Sequence, residues 1–166
     1  MNVSARKRFS CAAALVVAGL VSGCSHASPA DAAFVKRANK VCAPAAAMLD
    51  KKQFPFSSFD PEHPKSADLP KVGKFFAALY PEFARTVEEL NALTPSPGLA
   101  SKWKSFGSLL VAKRANTAAQ DKDAEQSNVP AFLKTVKNAE SLTARIKKLG
   151  HEIGFEDSST CFDVLI

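Results

Sequence analysis

The sequence has none of the short patterns that mark a catalytic or cofactor centre. It holds no G-x-S-x-G, no H-E-x-x-H, no P-loop and no glycine-rich dinucleotide fingerprint. Neither C-x-x-C nor C-x-x-C-H occurs, so a cysteine-based metal site and an attached haem have no ligands to start from. The three histidines, His26, His63 and His151, show no ligand spacing, and the E-x-x-H pairs of a di-metal bundle are missing. No cofactor and no metal are expected, and no enzymatic activity. Alternation of apolar and polar residues is absent, which argues against strands. No repeat is evident. A dense basic patch with a matching motif is also lacking, so nucleic acid is not an expected partner.

What is present begins at the N-terminus. Residues 2–10 carry Arg6, Lys7 and Arg8 and no acid; residues 11–22 carry no charge. A basic segment followed by a short apolar one is the pattern of an export signal. The apolar stretch is shorter than the roughly 20 residues a membrane-spanning helix needs. It ends in Val21-Ser22-Gly23-Cys24, which resembles the bacterial lipobox. That resemblance implies cleavage before Cys24 and acylation of its sulfur. Acyl chains anchor because each buried CH₂ contributes about 0.8 kcal/mol. The expected domains are therefore a signal peptide (1–23), a lipidated cysteine with a short tether (24–29) and a helical domain (30–166). The expected location is the extracytoplasmic face of the cell membrane. Cys11 lies inside the apolar run and has no assigned role.

Cleavage would remove three basic residues and no acid, leaving 19 Lys and Arg against 16 Asp and Glu. That mild charge supports no more than weak attraction to anionic headgroups. Two cysteines remain besides the anchor, Cys42 and Cys161, 119 positions apart. An even pair in an exported chain suggests a disulfide; the alternative is two independent thiols.

Four segments repeat apolar residues at helical spacing, and together they predict an all-α, four-helix bundle-like domain. The first opens with Ser28-Pro29-Ala30-Asp31, a capping serine, a proline suited to the first helical position and an acid suited to the dipole. Its stripe is Phe34, Ala38, Val41, Ala45 and Leu49, with Cys42 at the edge and a kink expected at Pro44. Residues 53–68 read as a long loop. The second helix carries Val72, Phe76, Leu79, Phe83, Val87 and Leu90, with a kink or break expected at Pro81. The third carries Leu99, Trp103, Phe106 and Leu110, its stripe continued by Arg114 and Thr117. The fourth, capped by Ser127 or Asn128, carries Phe132, Val136, Ala139, Ile146 and Leu149 and should stop at Gly150. Lys134, Lys137, Arg145 and Lys148 make a solvated face. The tail to Cys161 shows no clear period. Trp103, Phe106, Phe76, Phe83 and Phe132 are expected to share one core.

F-x₇-C from Phe34 to Cys42, L-x-x-L-T-P from Leu90 to Pro95, Trp103, and a late cysteine after the Leu149-Gly150 helix end occur together. In this the chain resembles a group of small actinobacterial, including mycobacterial, secreted proteins and lipoproteins. The resemblance implies an envelope location and a helical fold, and no activity.

Two features are candidates for contact with a ligand or partner. Phe54, Phe56 and Phe59 lie in the long loop; they either plug the open end of the core or line a pocket or touch a membrane or partner. Arg114 lies on the inner line of helix three; it either snorkels to water or meets an internal acid or an anionic ligand. His151 with Glu152, Glu156 and Asp157 reads as a solvated helix end. The expected role is a lipid-anchored, non-enzymatic binding or support module in the envelope. The alternative is a carrier or sensor of a small apolar ligand held between the helices. The expected partners are the membrane, through the anchor, and an envelope protein or apolar ligand. The short tether should start helix one near the membrane and carry the phenylalanine loop to the far end.

Overall fold

The computed structural model describes residues 28–51 and 59–165. Cys24 and the expected signal before it, and Phe54 and Phe56, lie outside the described residues. The fold is all-α, with five helices and no strand among the described residues: α1 (Pro29–Lys51), α2 (Leu69–Ala92), α3 (Ala100–Glu125), α4 (Val129–Ile153) and α5 (Thr160–Leu165). A single 3₁₀ turn, Pro97–Leu99, leads into α3.

Local chemistry sets the helix ends. Ser28 Oγ accepts the Asp31 N–H at 3.1 Å, and the Ser28 N–H donates to Asp31 Oδ2 at 3.2 Å. This reciprocal pair satisfies donors that the first turn would otherwise leave open. Asn128 Oδ1 accepts the Ala131 N–H at 3.2 Å and starts α4. Gly154, at φ 109°, ends it. The Phe155 N–H bonds Gly150 O at 3.0 Å and the Gly154 N–H bonds His151 O at 3.1 Å, which is the paired closure of a left-handed helix end. The stop therefore falls at Gly154, four residues beyond the expected Gly150. Gly150 is a packing position: a Cβ there would stand 2.4 Å from Phe162 Cε1, so the ring rests where a side chain would be.

Pro44 and Pro81 do not interrupt their helices, which run on as α1 and α2. Each proline is exposed, and so are Lys40 and Ala77, whose carbonyls lose their N–H partner. At exposed positions water can take the place of a lost helical N–H, so a proline there need not break the helix.

Sequential neighbours α1–α2, α2–α3 and α3–α4 pack side by side, and α5 lies mainly on α1 and also touches α4. The tail without a period is thus the element that closes the bundle between its first and fourth helices. Cys42 and Cys161 hold it there with Cα atoms 5.0 Å apart. Cys42 is fully buried at the centre of the α1 stripe rather than at its edge.

The interior divides into two clusters. The larger gathers Phe34, Leu90, Trp103, Phe106, Leu110, Ile146, Phe155 and Phe162 around the cysteine pair. Its aromatics form a chain: Phe34 meets Trp103 edge-on at 4.7 Å, Trp103 stacks on Phe106 at 5.3 Å, and Phe106 stacks on Phe155 at 5.8 Å. The smaller holds Leu69, Val72, Ala124 and Phe132, with Phe59, Phe76, Val129 and Val136 against it. The expected single core is corrected on this point. Trp103, Phe106 and Phe83 belong to one cluster and Phe76 and Phe132 to the other.

Candidate functional site

The division has a cause in α3. After Leu110 its inward positions turn polar: Asn116 is buried, and Lys113, Thr117, Gln120 and Asp121 are half-buried. α4 answers with polar partners. Asn116 Nδ2 donates to Thr135 O at 3.0 Å, and Asn138 Nδ2 donates to Asn116 Oδ1 at 2.7 Å. Lys113 Nζ donates to Thr143 Oγ1 at 2.6 Å. Thr117 Oγ1 bonds back to Lys113 O at 3.0 Å. Buried polar groups persist when they are paired, and here a band of such pairs separates the two apolar clusters. Asp121 is the exception. Its Oδ1 is buried with no hydrogen-bond partner, and burial, with Glu125 beside it, raises its carboxyl above the ordinary value.

A pocket of about 120 Å³ opens at the level of this band. Ala45, Met48 and Leu49 of α1 form one wall, and Phe76, Leu79, Tyr80 and Phe83 of α2 a second. Val164 and Leu165 of α5 close a third side, and Lys113 and Thr117 complete the lining. Phe83 packs on the larger cluster and Phe76 on the smaller, so the pocket sits where the two cores fail to meet. Phe76 and Lys113 also line a wider, shallower cleft with Phe59, Phe132, Glu140 and Thr143. They form the partition between the two spaces. Burial pulls the Lys113 ammonium below the usual lysine value.

Of the residues singled out from the sequence, Phe59 is half-buried and meets Phe132 edge-on at 6.3 Å, at the rim of the wider cleft. Arg114 does not face the pocket. Its Nη1 pairs with Glu88 at 2.8 Å on the solvent side of α2 and α3. Cys42 and Cys161 come together as the staple of α5. His151 and Asp157 also meet, at 3.4 Å, beside a Lys147–Asp157 pair at 2.9 Å. His151 Nδ1 lies 3.0 Å from Phe155 O, which makes this cluster a closure of the α4 end. Among the described residues no group of three or more His, Cys, Asp or Glu is placed to hold a metal ion.

Lys113 is the residue that the sequence reading passes over. From Leu110, both 110–113–117 and 110–114–117 are helical steps, so spacing alone does not choose between Lys113 and its neighbour Arg114. The residues facing them do: Glu88 draws Arg114 outward, and Thr143 receives Lys113 inward.

No protein family, curated protein or solved structure matches this chain.

Proposed function

We propose that the protein is a lipid-anchored envelope protein, held to the membrane through Cys24, whose helical domain is a non-enzymatic binding module. The observation that carries the binding role is the pocket. Its walls are almost wholly apolar, it opens to the surface, and it brings one basic group to an otherwise greasy lining. Small-molecule sites combine these properties, an apolar wall with a few polar groups that fix orientation. Leu49 lies 20 residues after Pro29, or about 30 Å along α1 at 1.5 Å per residue. With the short tether, this reading places the pocket away from the anchoring bilayer, where it can meet what the envelope delivers.

The test is native mass spectrometry of the full chain extracted in mild detergent. A small molecule should accompany the wild type in stoichiometric amount and be lost from Thr117→Leu, which fills the pocket. A bare wild-type mass overturns the pocket reading. The anchor is tested separately. Cys24→Ala should leave the membrane fraction, and a variant still found there after normal processing overturns acylation.

A further inference from the structure

We propose that the pocket takes a single acyl chain with a carboxylate head, the chain lying against Met48, Leu79, Tyr80 and Phe83 and the head meeting Lys113 Nζ. This rests on the binding reading above and adds the chemistry of the ligand. Three observations carry it.

The first is charge. All 16 acidic residues of the chain lie among the described residues. None forms an ion pair with Lys113, whose polar side-chain contact among the described residues is the neutral Thr143 hydroxyl. Glu140 lines the wider cleft together with Thr143 and forms no ion pair with Lys113, which stands between the two spaces. A charged group taken from water without a counter-ion is costly, and an anion entering from outside supplies what the fold leaves out. The second is donor count. An ammonium has three N–H donors; one goes to Thr143, and two remain for one mono-anionic head. The third is shape. About 120 Å³ is close to the volume of a cavity that admits benzene, roughly 150 Å³. Such a space holds a short length of one chain and lets the rest leave through the mouth. It does not seat a two-chain lipid.

Tyr80 is the sole tyrosine of the sequence and lines the pocket. Incorporating 3-fluorotyrosine therefore places one fluorine signal at the site. The full chain in lipid nanodiscs would be titrated with octanoate and with 1-octanol, at measured free concentrations. Octanoate should shift the Tyr80 signal saturably at about a tenfold lower concentration than octanol, the size of a hydrogen-bonded charge contact. Lys113→Met should abolish this preference while octanol still shifts the signal, which shows the pocket intact. Lys113→Arg should keep it. Equal affinities in the wild type overturn the anionic head and leave the pocket standing, as does a preference that survives Lys113→Met. Neither probe moving the signal overturns both. The wild-type comparison and Lys113→Arg decide the matter even if Lys113→Met fails to fold.

Discussion

The two ends of the bundle solve the same packing problem with different means. Around Trp103 and Phe106, aromatics from α1, α3, α5 and the turn after α4 interlock, and a cysteine pair fixes the short α5 across α1. Around Phe132 the cluster is small, has no covalent staple and borrows Phe59 and Phe76 from its rim. The polar band of α3 lies between them. One end is built to hold the chain together, and the junction between the ends is where space is left for something else. A helix that stayed apolar from Trp103 to Ala124 would have merged the clusters and removed the pocket.

The largest expected effect tests whether the ends differ in stability. Phe106→Ala should cost about 3–5 kcal/mol, the usual loss for a buried ring with no room to relax. Phe132→Ala should cost less, near the lower end of about 3–5 kcal/mol, because the cleft beside it allows neighbours to shift. Trp103, the only tryptophan, reports on the larger cluster alone, whereas circular dichroism reports on all helices. In Phe132→Ala the circular dichroism transition should precede the fluorescence transition, a departure from two-state unfolding. Coincident transitions with equal losses in both variants would remove the distinction between the ends.

The staple comes next. Replacing Cys42 and Cys161 together by Ser should cost about 2–4 kcal/mol, as expected for a cross-link that closes a long loop. Because α5 supplies Val164 and Leu165 to the pocket, octanoate affinity should fall as well. Unchanged denaturation midpoints would mean that α5 is held by packing alone.

A smaller effect belongs to the end of α4. Gly154 has φ 109°, and a Cβ there would make an ordinary van der Waals contact with Val35 Cγ2 at 3.7 Å. Gly154→Ala should therefore cost about 1 kcal/mol from backbone strain alone. Gly150→Ala should cost more, because its Cβ meets the Phe162 ring. The reverse order in thermal unfolding would return the helix stop to Gly150.

How far these features were legible depends on how local they are. The capped starts at Ser28 and Asn128 could be read because the cap and its partner are three residues apart. The four long helices could be read from their apolar stripes, and the cysteine pairing from an even count and an expected export. α5 could not, since six residues are too few to show a period. Gly150 and Gly154 are each acceptable as a stop, and only the ring of Phe162 separates them. At Pro81 a break was one of the two outcomes the local rule allows, and the helix runs on through this exposed position. The pocket was hidden because a half-polar α3 reads as a solvated helix. Its polar residues are the band between two cores, and only the facing residues of α4 show this.

The smallest effect contrasts two carboxylates placed by the two designs. Asp31 lies at the stapled end. Its carboxylate accepts hydrogen bonds from Ser96 Oγ and from the Ser28 N–H, and these hold it below the usual value. Asp121 lies in the polar band, and its carboxyl is raised, first by burial and then by Glu125. The signs of their contributions are therefore opposite. Asp31 favours the folded state when ionised, so its contribution is present above about pH 4 and is lost as pH falls through its lowered folded value. Above its raised folded value Asp121 carries its charge against the preference of its site. Protonation relieves that, so its contribution improves as pH falls through its raised folded value. Asp31→Asn should accordingly lower the melting temperature at pH 7, and the deficit should shrink as the solution is acidified below pH 4. Asp121→Asn should raise the melting temperature at pH 7, with a gain that also shrinks on acidification. Melting curves of the wild type and both variants between about pH 3 and pH 7 measure the pair. Two deficits at neutral pH would mean that Asp121 has a partner in solution, and the band would then be a fully satisfied layer rather than a strained one.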